Sequence, residues 1–331
     1  MPKLLILGLL AAAAIGGWYL WQNYQIEGLD NVHVKPRAAA PAGSQGPGKA
    51  EAELPPVPAG KSTICIATFN FGPLDQNKIS KPQVVKRLAQ VIRRFDLVAV
   101  QDVQARNRAI LAQLVEQVNA DARHYNVVVP PDADQDVVHQ YSAFLFDRAT
   151  IQVDPSTVYL VNDPAGRFRR PPLVASFRAR GPDASQAFTF TLVNVHADPE
   201  RAAVEVSLLA DVFRAVRDNG RNEDDILLLG DLGTDERHLG QLALVPNITC
   251  AIFGMPTTTR GTEISDNLLF DFRATKEFTG KSGVVDLMRE LGLSMPETIE
   301  TASHLPVWAE FSVYEGGQTG QVAESPPPAA R

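Results

Sequence analysis

Between residues 61 and 314, short apolar runs alternate with segments whose apolar positions recur every three or four residues. TICIATFN (63–70) and DLVAVQDV (96–103) are apolar enough to be strands buried on both faces. VVKRLAQVIRRF (84–95) instead sets Val84, Leu88, Val91, Ile92 and Phe95 on one helical stripe. The same contrast predicts helices over 108–119 and 201–216, and strands over 141–147, 172–179, 188–197, 226–231, 267–272 and 307–313. Many strands with helices between them predict an α/β fold, with sheets covered by helices and polar groups gathered where strands end. No repeat of solenoid length is present.

The flanks read differently. LLILGLLAAAAIGGWYLW (4–21) carries no charge, follows Lys3 and ends in Trp18, Tyr19 and Trp21, the pattern of one membrane-spanning helix with an aromatic belt within residues 1–25. A cleaved signal peptide is the competing reading, because LLILGLL followed by AAAA has an apolar core and a small-residue site. Both readings put the body of the protein outside the cytoplasm, in a periplasm or exterior space, secreted if the segment is cleaved. Residues 26–60 are a Pro/Ala/Gly-rich linker, and 315–331, ending SPPPAAR, form a tail of the same character. One domain, 61–314, lies between them.

A formal net charge of −7 argues against holding nucleic acid by a bulk positive field, though not against a local basic strip. Two cysteines, Cys65 and Cys250, give neither a disulfide framework nor a cysteine metal site and read as buried thiols. The chemistry is concentrated at strand ends: Asn70, Asp102, His196, Asp231 and Asp266, with His304 before the last strand. A single acid at such a place is usually a turn former. Six groups at the ends of one domain's strands make a donor set suited to a hard cation and acid/base chemistry.

Taken in order, ATFNFG, RRFDLVAVQDVQ, YSAFLFD, RRPPLVASF, TLVNVHADP, ILLLGDLGTD, ISDNLLF and SHLPVWAEF resemble the motif series of the endonuclease/exonuclease/phosphatase superfamily, most of all its deoxyribonuclease I-like branch. The resemblance spans about 250 residues. It implies a two-sheet α/β sandwich flanked by helices, here preceded by the single transmembrane helix. It also implies hydrolysis of phosphate esters, mostly diesters, assisted by Mg²⁺ (or Mn²⁺/Ca²⁺). Carried over residue by residue, Asn70 and Asp102 match metal-site positions, Arg170 a phosphate-contacting arginine, and Asp231 the aspartate that orients the attacking water. His196 matches one catalytic histidine, and Asp266 with His304 the pair that binds and polarises the phosphate.

Four positions depart from the family pattern. Asp102 replaces a glutamate, Gly233 an asparagine and Ser303 an aspartate, and His139 or Gln140 falls where a glutamate orients the first histidine. Each departure removes charge or reach, so metal binding is expected to weaken.

Three functions follow: an anchored metal-dependent phosphodiesterase acting on phosphate esters, nucleic acid included; a catalytically inactive member serving as a binding or scaffold module; and a phosphatase or phosphodiesterase for a lipid or small molecule. Protein partners are left open. Lys78, Arg167, Arg169, Arg170 and Arg260 are candidates for a basic strip, while the Thr257–Thr259 cluster reads as turn or strand residues and His33, His124 and His238 as surface residues.

Overall fold

Two six-stranded mixed sheets pack face to face. The computed structural model describes residues 54–106, 108–131 and 139–317. The expected anchor, most of the linker and the end of the tail lie outside these residues. Among the described residues no helix is long and apolar enough to cross a membrane.

The first sheet contains β1 (Thr63–Phe69), β2 (Leu97–Ala105), β3 (Tyr125–Val128), β4 (His139–Asp147), β11 (Phe278–Val284) and β12 (Val307–Ser312), in the order β11-β12-β1-β2-β4-β3. The second contains β5 (Ile151–Leu160), β6 (Leu173–Ala179), β7 (Thr189–His196), β8 (Ile226–Asp231), β9 (Ile248–Cys250) and β10 (Asp266–Asp271), in the order β5-β6-β7-β8-β10-β9. Within each sheet one central pair is parallel, β1 with β2 and β7 with β8.

The period-two rule sorts each central strand between two cores. Ile64 and Ile66 of β1 face the second sheet, where they meet Phe190, Leu227, Leu229 and Phe270; Ala67 and Phe69 face the helices. Those helices are α1 (Gln76–Ile79), α2 (Pro82–Ile92) and α3 (Ala109–Asn119), of which α2 contributes Val84, Leu88 and Ile92. Across the molecule, Ile226 and Leu228 of β8 pack on Val206, Leu209 and Phe213 of α4 (Ala202–Arg217). The layers run helix, sheet, sheet, helix, which is why β8 is apolar on both faces.

Two backbone features shape the rim of the sheets. A register shift between Val100 and Val103 leaves Asp102 with φ of +60°, a conformation that costs a non-glycine residue free energy and recurs at functional sites. Gly230 has φ of +149°, and a Cβ there would lie 2.0 Å from the Val195 carbonyl oxygen. Only glycine lets β8 approach β7 this closely, one residue before Asp231.

At its beginning the described chain already touches the domain: Arg180 Nη1 donates to the Pro55 carbonyl at 2.9 Å. Four strands had no counterpart in the sequence pattern, namely β3, β5, β9 and β11. These are the outer strands of the two sheets. They are short, or interrupted by Pro155 or by Gly280 and Gly283, as edge strands commonly are.

Candidate active site

Strand register assembles the first part of the site. His196 pairs with Asp231 across β7 and β8, and Asp231 pairs with Asp266 across β8 and β10. Three residues far apart in sequence thus become neighbours on one sheet edge. His304 arrives from the loop before β12, held by a bridge to Thr258, and its backbone amide donates to the Asn70 carbonyl at 3.2 Å.

The side chains form a connected line. Asn70 Nδ2 donates to Asp231 Oδ2 at 2.7 Å. His304 Nδ1 lies 3.8 Å from that oxygen and 2.7 Å from Asp266 Oδ2. The other Asp231 oxygen accepts from Ser265 Oγ at 2.5 Å and from the Gly233 amide at 3.0 Å. Gly233 has φ of +62°, a conformation that asparagine also tolerates, so glycine keeps the turn while removing the side chain.

Protonation follows from this line. Burial, then the neighbouring Asp231 charge, pushes the Asp266 carboxyl up to about 6 although His304 and Thr257 draw it down. Burial opposes the charged form of His304, but the Asp266 hydrogen bond and the Asp266 and Asp231 charges outweigh it and raise that imidazole to about 9. At neutral pH the pair is carboxylate and imidazolium. For His196, burial and the Arg170 charge lower the pKa, so its ring is neutral. Its Nδ1 is buried without a partner, as expected where the orienting glutamate is missing.

A second line holds Asp102 and Arg170. Gln140 Nε2 donates to Asp102 Oδ1, and Gln104 Nε2 donates to the same oxygen at 2.8 Å. Arg170 donates to Gln140 Oε1 at 2.8 Å, to the His196 carbonyl at 3.1 Å and to the Ala197 carbonyl at 3.1 Å. The charges of Asp102 and Asp231 both act on His196, so the two lines converge on that ring.

Among the described residues the donor atoms of Asp231, Asp266 and His304 lie within 4.8 Å of one another, and Asp102 stands outside that group. Asn70 and Asp102 are joined through the segment between them: the Gly72 amide donates to Asn70 Oδ1 at 3.0 Å, and the Leu74 amide to the Asp102 carbonyl at 2.9 Å. One carboxylate, an amide oxygen and the Ser303 hydroxyl make a sparse oxygen set. Such a set would suit a hard divalent cation that keeps several of its waters.

Two expectations are corrected. Lys78 is turned inward, not displayed on a basic strip: Nζ donates to the Phe71 and Thr301 carbonyls, and burial lowers its pKa to about 8 despite the Asp102 charge. A Cβ on Gly72 would lie 3.0 Å from Ser303 Oγ and 3.5 Å from Lys78 Nζ, so the ammonium and the hydroxyl flank one glycine. Thr257 is not merely a turn residue. Its buried hydroxyl donates to Asp266 Oδ2 at 2.8 Å and accepts from the Ser265 and Asp266 amides. Arg260 and Arg169 are exposed, and Arg167 is paired with Asp163 at 3.4 Å. Ser265 and Gln104 carry no signal in the sequence because polar residues beside a strand end have no periodic pattern; position next to Asp266 is the one clue for Ser265.

Similarity to known proteins agrees with this arrangement. No family model matches the chain. Human deoxyribonuclease-1-like 2 is 25% identical over 278 residues, covering 75% of this chain and 92% of its own. Bovine deoxyribonuclease-1 is 24% identical over 263 residues, covering 74% and 91%. The chain is thus similar over three quarters of its length to deoxyribonuclease I-like proteins. The fold agrees as well: the crystal structure of an endonuclease/exonuclease/phosphatase family protein from Bacteroides thetaiotaomicron superposes with a TM-score of 0.51 at 14% identity, covering 76% of this chain and 98% of that one. Here β7, β8 and β10 supply three of the four residues assigned to catalysis by the motif series, and the loop before β12 supplies the fourth.

Proposed function

We propose that the protein is a divalent-metal-dependent phosphodiester hydrolase, with nucleic acid as the substrate class, tethered by its N-terminal segment so that the domain lies outside the cytoplasm. The observation that carries the reading is the His304–Asp266 pair at 2.7 Å, set beside Asp231 and Asn70 on the same rim. Relatives named as deoxyribonucleases support the substrate class.

Asp266 fixes the orientation of the His304 ring and keeps it charged, so its Nε2 proton is directed to a phosphoryl oxygen where negative charge grows. Asp231, held by Asn70 and Ser265, orients the attacking water. Arg170 and neutral His196 contact the phosphate from β7's end of the rim. Asp102 and Asn70 would hold the cation, with Ser303 contributing a hydroxyl. When bound, that ion supplies charge stabilisation for the phosphoryl oxygens. The loss of an amide at Gly233 and of a carboxylate at Ser303 makes this an attenuated site.

A second reading, a catalytically inactive module that binds a phosphate-bearing partner, is favoured by the Lys78 ammonium beside Ser303 and by the unpartnered His196 Nδ1. The two are separated by incubating the protein with duplex DNA and with bis(p-nitrophenyl) phosphate in Mg²⁺ or Mn²⁺. Cleavage that falls at least about a hundredfold in Asp231→Ala supports the hydrolase. Cleavage that survives that substitution sinks it, and no cleavage with either cation leaves the binding module.

A further inference from the structure

At the opposite end of β8 from Asp231, five carboxylates gather: Glu223, Asp224 and Asp225 before the strand, Glu277 before β11 and Glu315 after β12. Six residues of extended chain separate the two ends, roughly 20 Å, so this cluster is no part of the rim described above. Donor atoms of Asp225, Glu277 and Glu315 lie within 4.8 Å of one another.

Acidic side chains crowd many surfaces without consequence. Here two are inside the protein, Asp225 being 1% and Glu277 2% exposed. Each buried carboxylate leaves one oxygen, Asp225 Oδ1 and Glu277 Oε2, with no hydrogen-bond partner. Beside them sits Thr275, 2% exposed, whose hydroxyl faces the Asp225 carboxylate yet completes no hydrogen bond of its own. Bare oxygens of this kind are costly unless something positive satisfies them. The charges acting most strongly on Asp225 and Glu277 are other carboxylates, not lysine or arginine.

The backbone is arranged to hold the cluster. The Gly316 amide donates to Glu277 Oε1 and the Thr189 amide to Glu315 Oε2 at 3.1 Å, which aims the remaining carboxylate oxygens together. The Glu223 carboxylate folds back onto the Asp225 amide at 3.0 Å.

We infer that Asp225, Glu277 and Glu315, with the Thr275 hydroxyl, bind a structural divalent cation of the Ca²⁺ type. Three carboxylates and a hydroxyl form an all-oxygen set, and a cation that takes six to eight oxygens in flexible geometry suits it better than Mg²⁺, which demands a near-ideal octahedron. Asp225 flanks β8 of the second sheet, whereas Glu277 and Glu315 flank strands of the first. An ion there staples the two sheets at the end remote from the rim.

The test uses the full chain. Thermal melts in EDTA and in millimolar Ca²⁺ are compared for wild type, Asp102→Asn, Asp225→Asn and Glu315→Gln, with Tb³⁺ luminescence excited through tyrosine as a direct readout, since Tyr314 adjoins Glu315. Ca²⁺ is expected to raise Tm by about 5 °C in wild type. The rise persists in Asp102→Asn, which removes the carboxylate assigned to the rim cation, and disappears in Asp225→Asn. Because Glu315 is exposed, Glu315→Gln folds normally and loses most of the rise and most of the Tb³⁺ signal. A rise undiminished in both Asp225→Asn and Glu315→Gln overturns the assignment. So does wild type that ignores Ca²⁺ while Asp225→Asn melts higher in EDTA, the result expected if a shared proton neutralises the cluster.

Discussion

His304 Nδ1 lies 2.7 Å from Asp266 Oδ2, and each group owes its protonation state to the other. The carboxyl titrates near 6 and the imidazole near 9, so the charged pair exists between those values. Hydrolysis that depends on this pair shows an acid limb near 6 and an alkaline limb near 9 in a pH–rate profile. Stability carries a separate signature. Because the folded imidazole binds its proton more tightly than a free histidine near 6.5, His304 stabilises the fold fully below 6.5. That contribution is lost as pH rises through about 9, a change of about 3 kcal/mol. His304→Gln should flatten urea-denaturation stability across that window; an unchanged slope would contradict the assignment.

Thr257 is expected to set the acid limb without touching substrate. Its hydroxyl donates to Asp266 and lowers the carboxyl's pKa, while accepting from two backbone amides. Thr257→Val removes all three bonds and costs about 1–3 kcal/mol of stability. The acid limb of the rate profile then moves above 6. A uniform loss of rate with the limb unmoved would mean that Thr257 is structural only.

The central architecture was legible because burial on both faces writes continuous apolar runs, as in β1, β2, β7 and β8, and because the stripe of α2 has helical spacing. The edge strands β3, β5, β9 and β11 were not, since one open edge relaxes the demand for apolar residues and admits Pro155 or Gly280. For the site, the strand-end positions of His196, Asp231 and Asp266 could be read from motif order. Their adjacency is a property of register. The inward turn of Lys78 and the Gln140 bridge between Asp102 and Arg170 depend on side-chain packing that no local pattern encodes.

Gly230 tests how the rim is built. A side chain there meets the Val195 carbonyl, which is backbone and has no rotamer to move aside. Gly230→Ala must therefore separate β7 from β8 at the point where His196 and Asp231 stand opposite each other. A loss of about 4 kcal/mol or more is expected, at the diagnostic end of single substitutions. Urea denaturation measures it, and a loss under about 1 kcal/mol would show that the strands tolerate the shift.

Lys78 bears on the cation directly. Its ammonium is held by the Phe71 and Thr301 carbonyls, feels the Asp102 charge, and lies with Ser303 around Gly72. A fixed positive charge near the single candidate carboxylate ligand repels a divalent ion. Lys78→Met removes that charge while keeping the length of the stem, and should tighten Mn²⁺ binding by about tenfold at neutral pH. In wild type the affinity should climb as pH passes about 8, where the amine loses its proton; in Lys78→Met that rise should vanish. Calorimetric titration of Mn²⁺ at several pH values, run on the Asp225→Asn background to silence the remote cluster, reads both effects. Equal affinities for the two proteins would mean that the cation sits away from Asp102.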